Sequence, residues 1–300
     1  MMLVKFKGNI NFMKYRRIAL AVSLALVLVS IGLLMVRGLN FGIDFSGGIL
    51  FQLEFDAPVT VAEIRSSLNK MGFDSSVIQS YSERGALVRL KDDRESDQRE
   101  ILKSLRKTLG VDFKVLRVEM VGPAVGSQLR KSATLATILA LLAMLIYITF
   151  RFKFMFAVGA VIALMHDVIV TLGIFSLTFQ EVSMPFIAGM LTLVGYSIND
   201  TIVIFDRVRE NFKHLKDWEI VDILDNSINQ VLSRTINTSL TTLFPVLTLF
   251  LWGGKAISDF SMALLVGIIV GTYSSIYVAG AVVVEWYLRS PGGSRKLQRR

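Results

Sequence analysis

A chain of 300 residues that is 53% hydrophobic and only 19% charged, with a mean hydropathy of +0.56, carries more apolar surface than a water-soluble globule needs. Its net charge of +9 is not the footprint of a nucleic-acid binder, because the basic residues gather beside the ends of apolar runs, the topology signal of a membrane protein. With no cysteine and only His166 and His214 as histidines, disulfides, thiolate chemistry and Cys-based zinc sites are excluded, and neither a metal nor a cofactor is expected.

Residues 1–17 read as a cytoplasmic N-terminus carrying Lys5, Lys7, Lys14, Arg16 and Arg17. The apolar run 18–36 is too long for the core of a signal peptide, and Met35-Val36-Arg37 is a poor small-residue cleavage site. It predicts an uncleaved first transmembrane helix. Residues 37–132 form the one long polar interval. Within it, 49–55 alternates as a strand with Ile49, Phe51, Leu53 and Phe55 on one face. Residues 59–71 have helical spacing, with Thr60 placed to cap the start and Gly72 to close the end. Residues 76–82 and 86–91 flank Glu83-Arg84-Gly85 as a hairpin, 96–109 is a second helix ended by Gly110, and 113–121 is a last strand. The order β-α-β-β-α-β is that of ferredoxin-like domains, which host many functions.

Five further apolar runs follow at 133–150, 154–179, 185–205, 235–252 and 260–288, making a five-helix membrane domain over 133–288. Between the third and fourth of these, 207–232 reads as a cytoplasmic amphipathic segment, with apolar residues at 220, 223, 224, 228, 231 and 232. Residues 289–300 are a basic cytoplasmic tail. Orientation follows from the cations. The N-terminal tail, Arg151-Phe152-Lys153, the group Arg207, Arg209, Lys213 and Lys216, and the tail residues Arg289, Arg295, Lys296, Arg299 and Arg300 all fall on one side. The opposite short loops, 180–184 and 253–259, hold one lysine between them. Both termini are therefore expected in the cytoplasm, with 37–132 in the periplasm of a Gram-negative cell. The predicted fold class is a polytopic α-helical membrane protein: six transmembrane helices and one periplasmic α+β ferredoxin-like domain between the first two.

Polar groups break the apolar runs at four places. Asn199-Asp200 lies in the fourth run, on a helical face with Thr192 and Tyr196, about 9 Å inside its cytoplasmic end. An ionisable group at such depth costs roughly 2.5–3.5 kcal/mol even on the mildest scale and marks a functional candidate. His166-Asp167 lies in the third run, about 18 Å from its start. Arg234 opens the fifth run and heads a polar stripe of Asn237, Thr238, Thr241 and Thr242. Glu285 lies one turn from Arg289, where it snorkels. A facing Asp200–Arg234 pair would hold the acid ionised, and separating the two would let it take a proton, the elementary step of a relay. The bland alternatives are register-fixing by a buried pair and interhelical hydrogen bonds from Ser, Thr and Asn. In the sixth run Ala263, Gly267, Gly271, Ser275 and Ala279 recur every four residues, a ladder that reads as helix packing. No nucleotide-binding motif is present, so ATP is not the direct energy source.

Two segments resemble a known family. Gly42-Ile43-Asp44-Phe45-Ser46-Gly47-Gly48 resembles the motif that opens the periplasmic domain of the SecD/SecF export proteins, with Asp44, Phe45, Gly47 and Gly48 as its markers. The stretch from Val194 through Gly195, Tyr196, Asn199 and Asp200 to Asp206, Arg207, Val208, Arg209 and Glu210 resembles the fourth-helix signature of the SecF branch. The layout of one helix, one domain and five helices matches that branch over nearly the whole chain. The resemblance implies that Asp200 is a proton-responsive aspartate, that Arg234 interacts with it, and that Asp167 lies in a recurring His-Asp-Val motif; the proton relay is expected to comprise Asp200, Arg234, Asn199, Asp167 and His166. It implies an obligate complex with SecD, work beside the SecYEG channel and with YajC, and an unfolded translocating polypeptide as client. SecD and SecF together resemble resistance-nodulation-division transporters. The expected role is thus to use the proton motive force in late steps of export across the cytoplasmic membrane, in contact with membrane lipid and not with nucleic acid. The alternatives are a proton-coupled exporter of small solutes and a scaffold without ion coupling. No nucleophile–base pair points to an enzyme.

Overall fold

The computed structural model describes residues 9–74, 76–90, 98–215 and 218–290. Lys5, Lys7, Lys91, Ser96, Lys216, Arg295, Lys296, Arg299 and Arg300, all used in the sequence reading, lie outside the described residues. A 3-10 turn (Met13–Tyr15) leads into α1 (Arg16–Arg37), followed by the short β1 (Asn40–Phe41), the single turn α2 (Ile43–Ser46) and β2 (Gly48–Phe55). Next come α3 (Val61–Lys70), β3 (Val77–Ser82), β4 (Gly85–Leu90), α4 (Gln98–Leu109) and β5 (Phe113–Val121). The remainder is α5 (Pro123–Arg151), α6 (Phe154–Thr178), the short β6 (Glu181–Val182), α7 (Met184–His214), α8 (Ile220–Trp252), α9 (Lys255–Ser274), a π-helical segment (Ser275–Ala279) and α10 (Gly280–Arg289). Two compact units result, one of Phe41–Leu135 and one of the helices on either side of it in the chain.

In the first unit, β2 to β5 form a four-stranded sheet in the order β3-β4-β2-β5. All three pairings are antiparallel, and β2 meets β5 with a register shift between Gln52 and Leu53. The alternation predicted for 49–55 is realised: Ile49, Phe51, Leu53 and Phe55 share a core with Ile64 and Leu68 of α3 and Ile101 and Leu105 of α4. Thr60 caps α3 as expected, and Glu63 closes a reciprocal capping box with it. Gly72 and Gly110, each placed to end a helix, have φ of +82° and +68°.

In the second unit, six helical spans among the described residues are long and apolar enough to cross a membrane. They are not equally central. Half or more of the most apolar stretch of α6, α7 and the α9–α10 span is buried (50–56%), against 11–17% for α1, α5 and α8. The core of the unit is therefore α6, α7 and the last span.

Helix bounds exceed the apolar runs, most of all in three places. α5 begins at Pro123 instead of 133, since proline is well suited to a first helical turn. α7 continues past the apolar run to His214. The expected amphipathic segment and fifth run are one continuous helix, α8, because Leu232-Ser233-Arg234-Thr235 contains no helix breaker. Pro245 lies inside that helix.

Candidate functional site

Helical periodicity turns Ser197, Asp200, Thr201 and Ile204 of α7 to the inside, and all four are buried. Asn199, one residue from Asp200, is exposed, so the two do not share a setting. Asp200 is 3% exposed, and its Oδ2 accepts no hydrogen bond among the described residues. Arg234 is exposed on α8. No hydrogen bond or ion pair joins it to Asp200 among the described residues. The facing pair expected from the sequence is not formed.

The saturated carboxylate is Asp167. Fully buried on α6, it accepts hydrogen bonds from Ser197 Oγ of α7 at 2.6 Å and Ser274 Oγ of α9 at 2.7 Å, both at Oδ2. Its Oδ1 lies 2.9 Å from His166 Nδ1. With Asp167 ionised, that nitrogen donates, which leaves Nε2 an acceptor without a partner among the described residues. A carboxylate has about four lone-pair sites, so three donors nearly fill Asp167. Short O–H···O contacts to an ionised oxygen are the stronger kind. A second tie runs beside the first: Thr201 Oγ1 and Ser275 Oγ are 2.9 Å apart, and Ser275 Oγ donates to the Ser197 carbonyl at 3.2 Å. The turn of α7 that carries Asp200 is thus hydrogen-bonded from Ser197 to Thr201 against α6, α9 and the π segment.

The small-residue ladder admits this approach. A Cβ on Gly271 would stand 3.1 Å from Ser197 Cβ and 3.5 Å from Asp167 Oδ2, and one on Gly267 would collide with Leu193 of α7. Ser275, assigned to packing by its spacing, also hydrogen-bonds. Ser197, Ser274 and Thr201 were not singled out from sequence. Their one available signal is position: Ser197 lies one turn before Asp200, and Ser274 abuts the ladder.

The other motif residues lie elsewhere along α7 and in the α/β unit. Arg151 pairs with Asp206 at 2.7 Å, and Arg207 reaches Glu210 and Gln230. Gly195 has open space beside it, and the Tyr196 hydroxyl, though buried, finds no partner among the described residues. In the α/β unit, Gly47 and Gly48 take φ of +70° and +115°, conformations that favour glycine, and turn the chain from α2 into β2. Asp44 is half-buried in that turn, and Phe45 is buried with its carbonyl accepting from Arg130. No cluster of three or more metal-ligating side chains occurs among the described residues.

Comparison with known proteins places this geometry. Residues 101–289 match the family model for the C-terminal part of the protein export membrane proteins SecD/SecF, and residues 32–59 match the SecD/SecF GG motif, which contains Gly47 and Gly48. The chain belongs to the SecD/SecF family. Within that family it is 49% identical to the protein translocase subunit SecF of Desulfurispirillum indicum, over 92% of this chain and 91% of the relative. It is 42% identical to SecF of Haemophilus influenzae, over 93% and 86%. The protein translocase subunit SecDF of Thermus thermophilus is 42% identical over 92% of this chain, which spans 38% of that longer protein. A crystal structure of SecDF, a translocon-associated membrane protein from Thermus, superposes with a TM-score of 0.87 at 42% identity, over 96% of this chain and 40% of that one. The SecD/SecF relatives are membrane translocase subunits, and with its six apolar helices this chain is a multi-pass membrane protein.

Proposed function

We propose that this chain is a SecF-type subunit of the Sec export machinery, in which Asp200 takes up and releases protons to drive late steps of polypeptide translocation. The observation that carries this is the contrast between two buried acids: Asp167 is saturated with donors, whereas Asp200 keeps an open oxygen. Moving one charge through 100 mV supplies about 2.3 kcal/mol, enough for several protons to bias a domain motion. Arg234 and Asn199 are exposed on membrane-spanning helices, and a charge left against hydrocarbon is expensive, so a protein partner covers them. SecD is that partner in this reading, which the single-chain SecDF relative supports. The SecYEG channel, YajC and the translocating chain complete the assembly.

The α/β unit is read as a ferredoxin-like domain on the periplasmic side, supported by its β-α-β-β-α-β order and antiparallel sheet. The domain limits 1–17, 18–36, 37–132, 133–288 and 289–300 belong to the same reading, with both termini in the cytoplasm. Asp200→Asn is expected to abolish export that depends on the proton motive force while the complex still assembles and co-purifies with SecD. Normal force-dependent export by that variant would sink the proposal.

A further inference from the structure

We infer that Asp167 is a positioning residue, a fixed anion that orients the proton-responsive turn of α7 and does not itself exchange protons. The inference rests on the reading of Asp200 given above. Three observations support it. Asp167 is the point where three helices meet, through the Ser197 hydroxyl of α7, the Ser274 hydroxyl of α9 and its own neighbour His166 on α6. It is 0% exposed, and α9 approaches so closely that a Cβ on Gly271 would stand 3.1 Å from Ser197 Cβ and 3.5 Å from Asp167 Oδ2. Finally, Ser197 lies one helical turn from Asp200, so whatever fixes the rotation of α7 at Ser197 fixes the direction of the Asp200 Cα–Cβ bond.

Of the titratable groups around Asp167, His166 touches it, and the Tyr273 ring lies 6.2 Å from the imidazole with Tyr277 behind it at 5.4 Å. Asp200 sits one turn along α7, and α1 brings the hydroxyls of Ser23 and Ser30 to the bundle. No lysine or arginine touches the Asp167 carboxylate among the described residues. The hydroxyl donors therefore hold the anion. Losing both removes two charge-assisted hydrogen bonds and leaves His166 as the remaining side-chain donor among the described residues.

The test uses dicyclohexylcarbodiimide, which modifies protonated carboxyl groups in membranes, on the full chain co-expressed with SecD, with labelled sites located by mass spectrometry over a pH series. Asp200 is expected to label and Asp167 to stay unlabelled across the same range. In the Ser197→Ala/Ser274→Ala double variant, Asp167 labelling is expected to rise about a hundredfold, about tenfold for each hydrogen bond lost. In Asp167→Asn, Asp200 labelling at fixed pH is expected to change severalfold, with Asp167→Glu closer to the parent. Ser274→Ala alone serves if the double variant does not assemble. Equal labelling of Asp167 and Asp200 in the parent would make Asp167 a proton carrier and overturn the inference. So would Asp200 labelling indifferent to Asp167→Asn. Neither readout depends on export, so failure here is distinct from failure of the proton-coupling proposal.

Discussion

Gly173 on α6 and Ser30 on α1 show how closely single positions are set in the helical unit. A Cβ on Gly173 would stand 2.3 Å from Ser30 Oγ and 2.8 Å from Ser30 Cα. Rotating the serine relieves the first clash and not the second, because the second is backbone. Gly173→Ala is therefore expected to push α1 away from α6 at the usual overpacking cost of about 1–3 kcal/mol. The check is thermal unfolding in detergent, with Gly195→Ala, which meets nothing within 4 Å, as the matched control. At this scale the sequence displayed the rare acids and hid their surroundings. Asp167 and Asp200 stand out in any hydropathy reading, since charge in an apolar run is unmistakable. Their partners did not, because which of Ser197, Asn199 or Arg234 faces the interior depends on the rotation of each helix. That rotation is set by neighbours far away in the chain, such as Ser274 against Asp167.

Among the elements, α3 offers a test outside the membrane. Glu63 accepts from the Thr60 backbone N–H at 2.7 Å and from its hydroxyl at 2.8 Å. These bonds, the backbone one foremost, hold its carboxyl below the ordinary value. A carboxyl so lowered stabilises the fold above its unfolded value, and the contribution is lost as pH falls through the lower folded one. Hydrogen exchange of the α3 amides should thus show protection, relative to Glu63→Gln at the same pH, that fades on acidification. A constant ratio between the two proteins would contradict it. The capping residues and the strand alternation were legible because they are local: Thr60 and Glu63 are one turn apart, and Ile49, Phe51, Leu53 and Phe55 obey a period of two. The union of residues 220–252 into one helix was not legible, since hydropathy falls near Arg234 while helix propensity does not.

For the whole molecule, the absence of cysteine permits a direct test of orientation. Arg151, Arg207, Arg209, Lys213 and Arg289 gather where the positive-inside rule predicts cytoplasm. Single variants Ser82→Cys and His214→Cys should therefore label oppositely with an impermeant maleimide, the first from the periplasm and the second only after permeabilisation. Reversed labelling would invert the topology and with it the direction of any proton flow. The last span carries a further consequence of its π-helical segment. An α-helix turns about 100° per residue, so each four-residue step of the ladder overshoots a full circle by about 40°. From Ala263 through Gly267 and Gly271 to Ser275, the small residues therefore spiral away from any straight neighbour. A π turn holds more residues per revolution and takes back part of that rotation. Ala279 thereby returns to the buried side, its carbonyl 3.1 Å from where a Cβ on Gly159 would sit. One extra backbone residue in a single turn lets the two ends of one span serve different helices, α7 at Gly267 and α6 at Ala279. Wound as a plain helix with no residue removed, Ser275–Ala279 would turn Val283 and Val284, both fully buried, away from the bundle; deleting one residue there would restore the plain helix and keep both on the buried side.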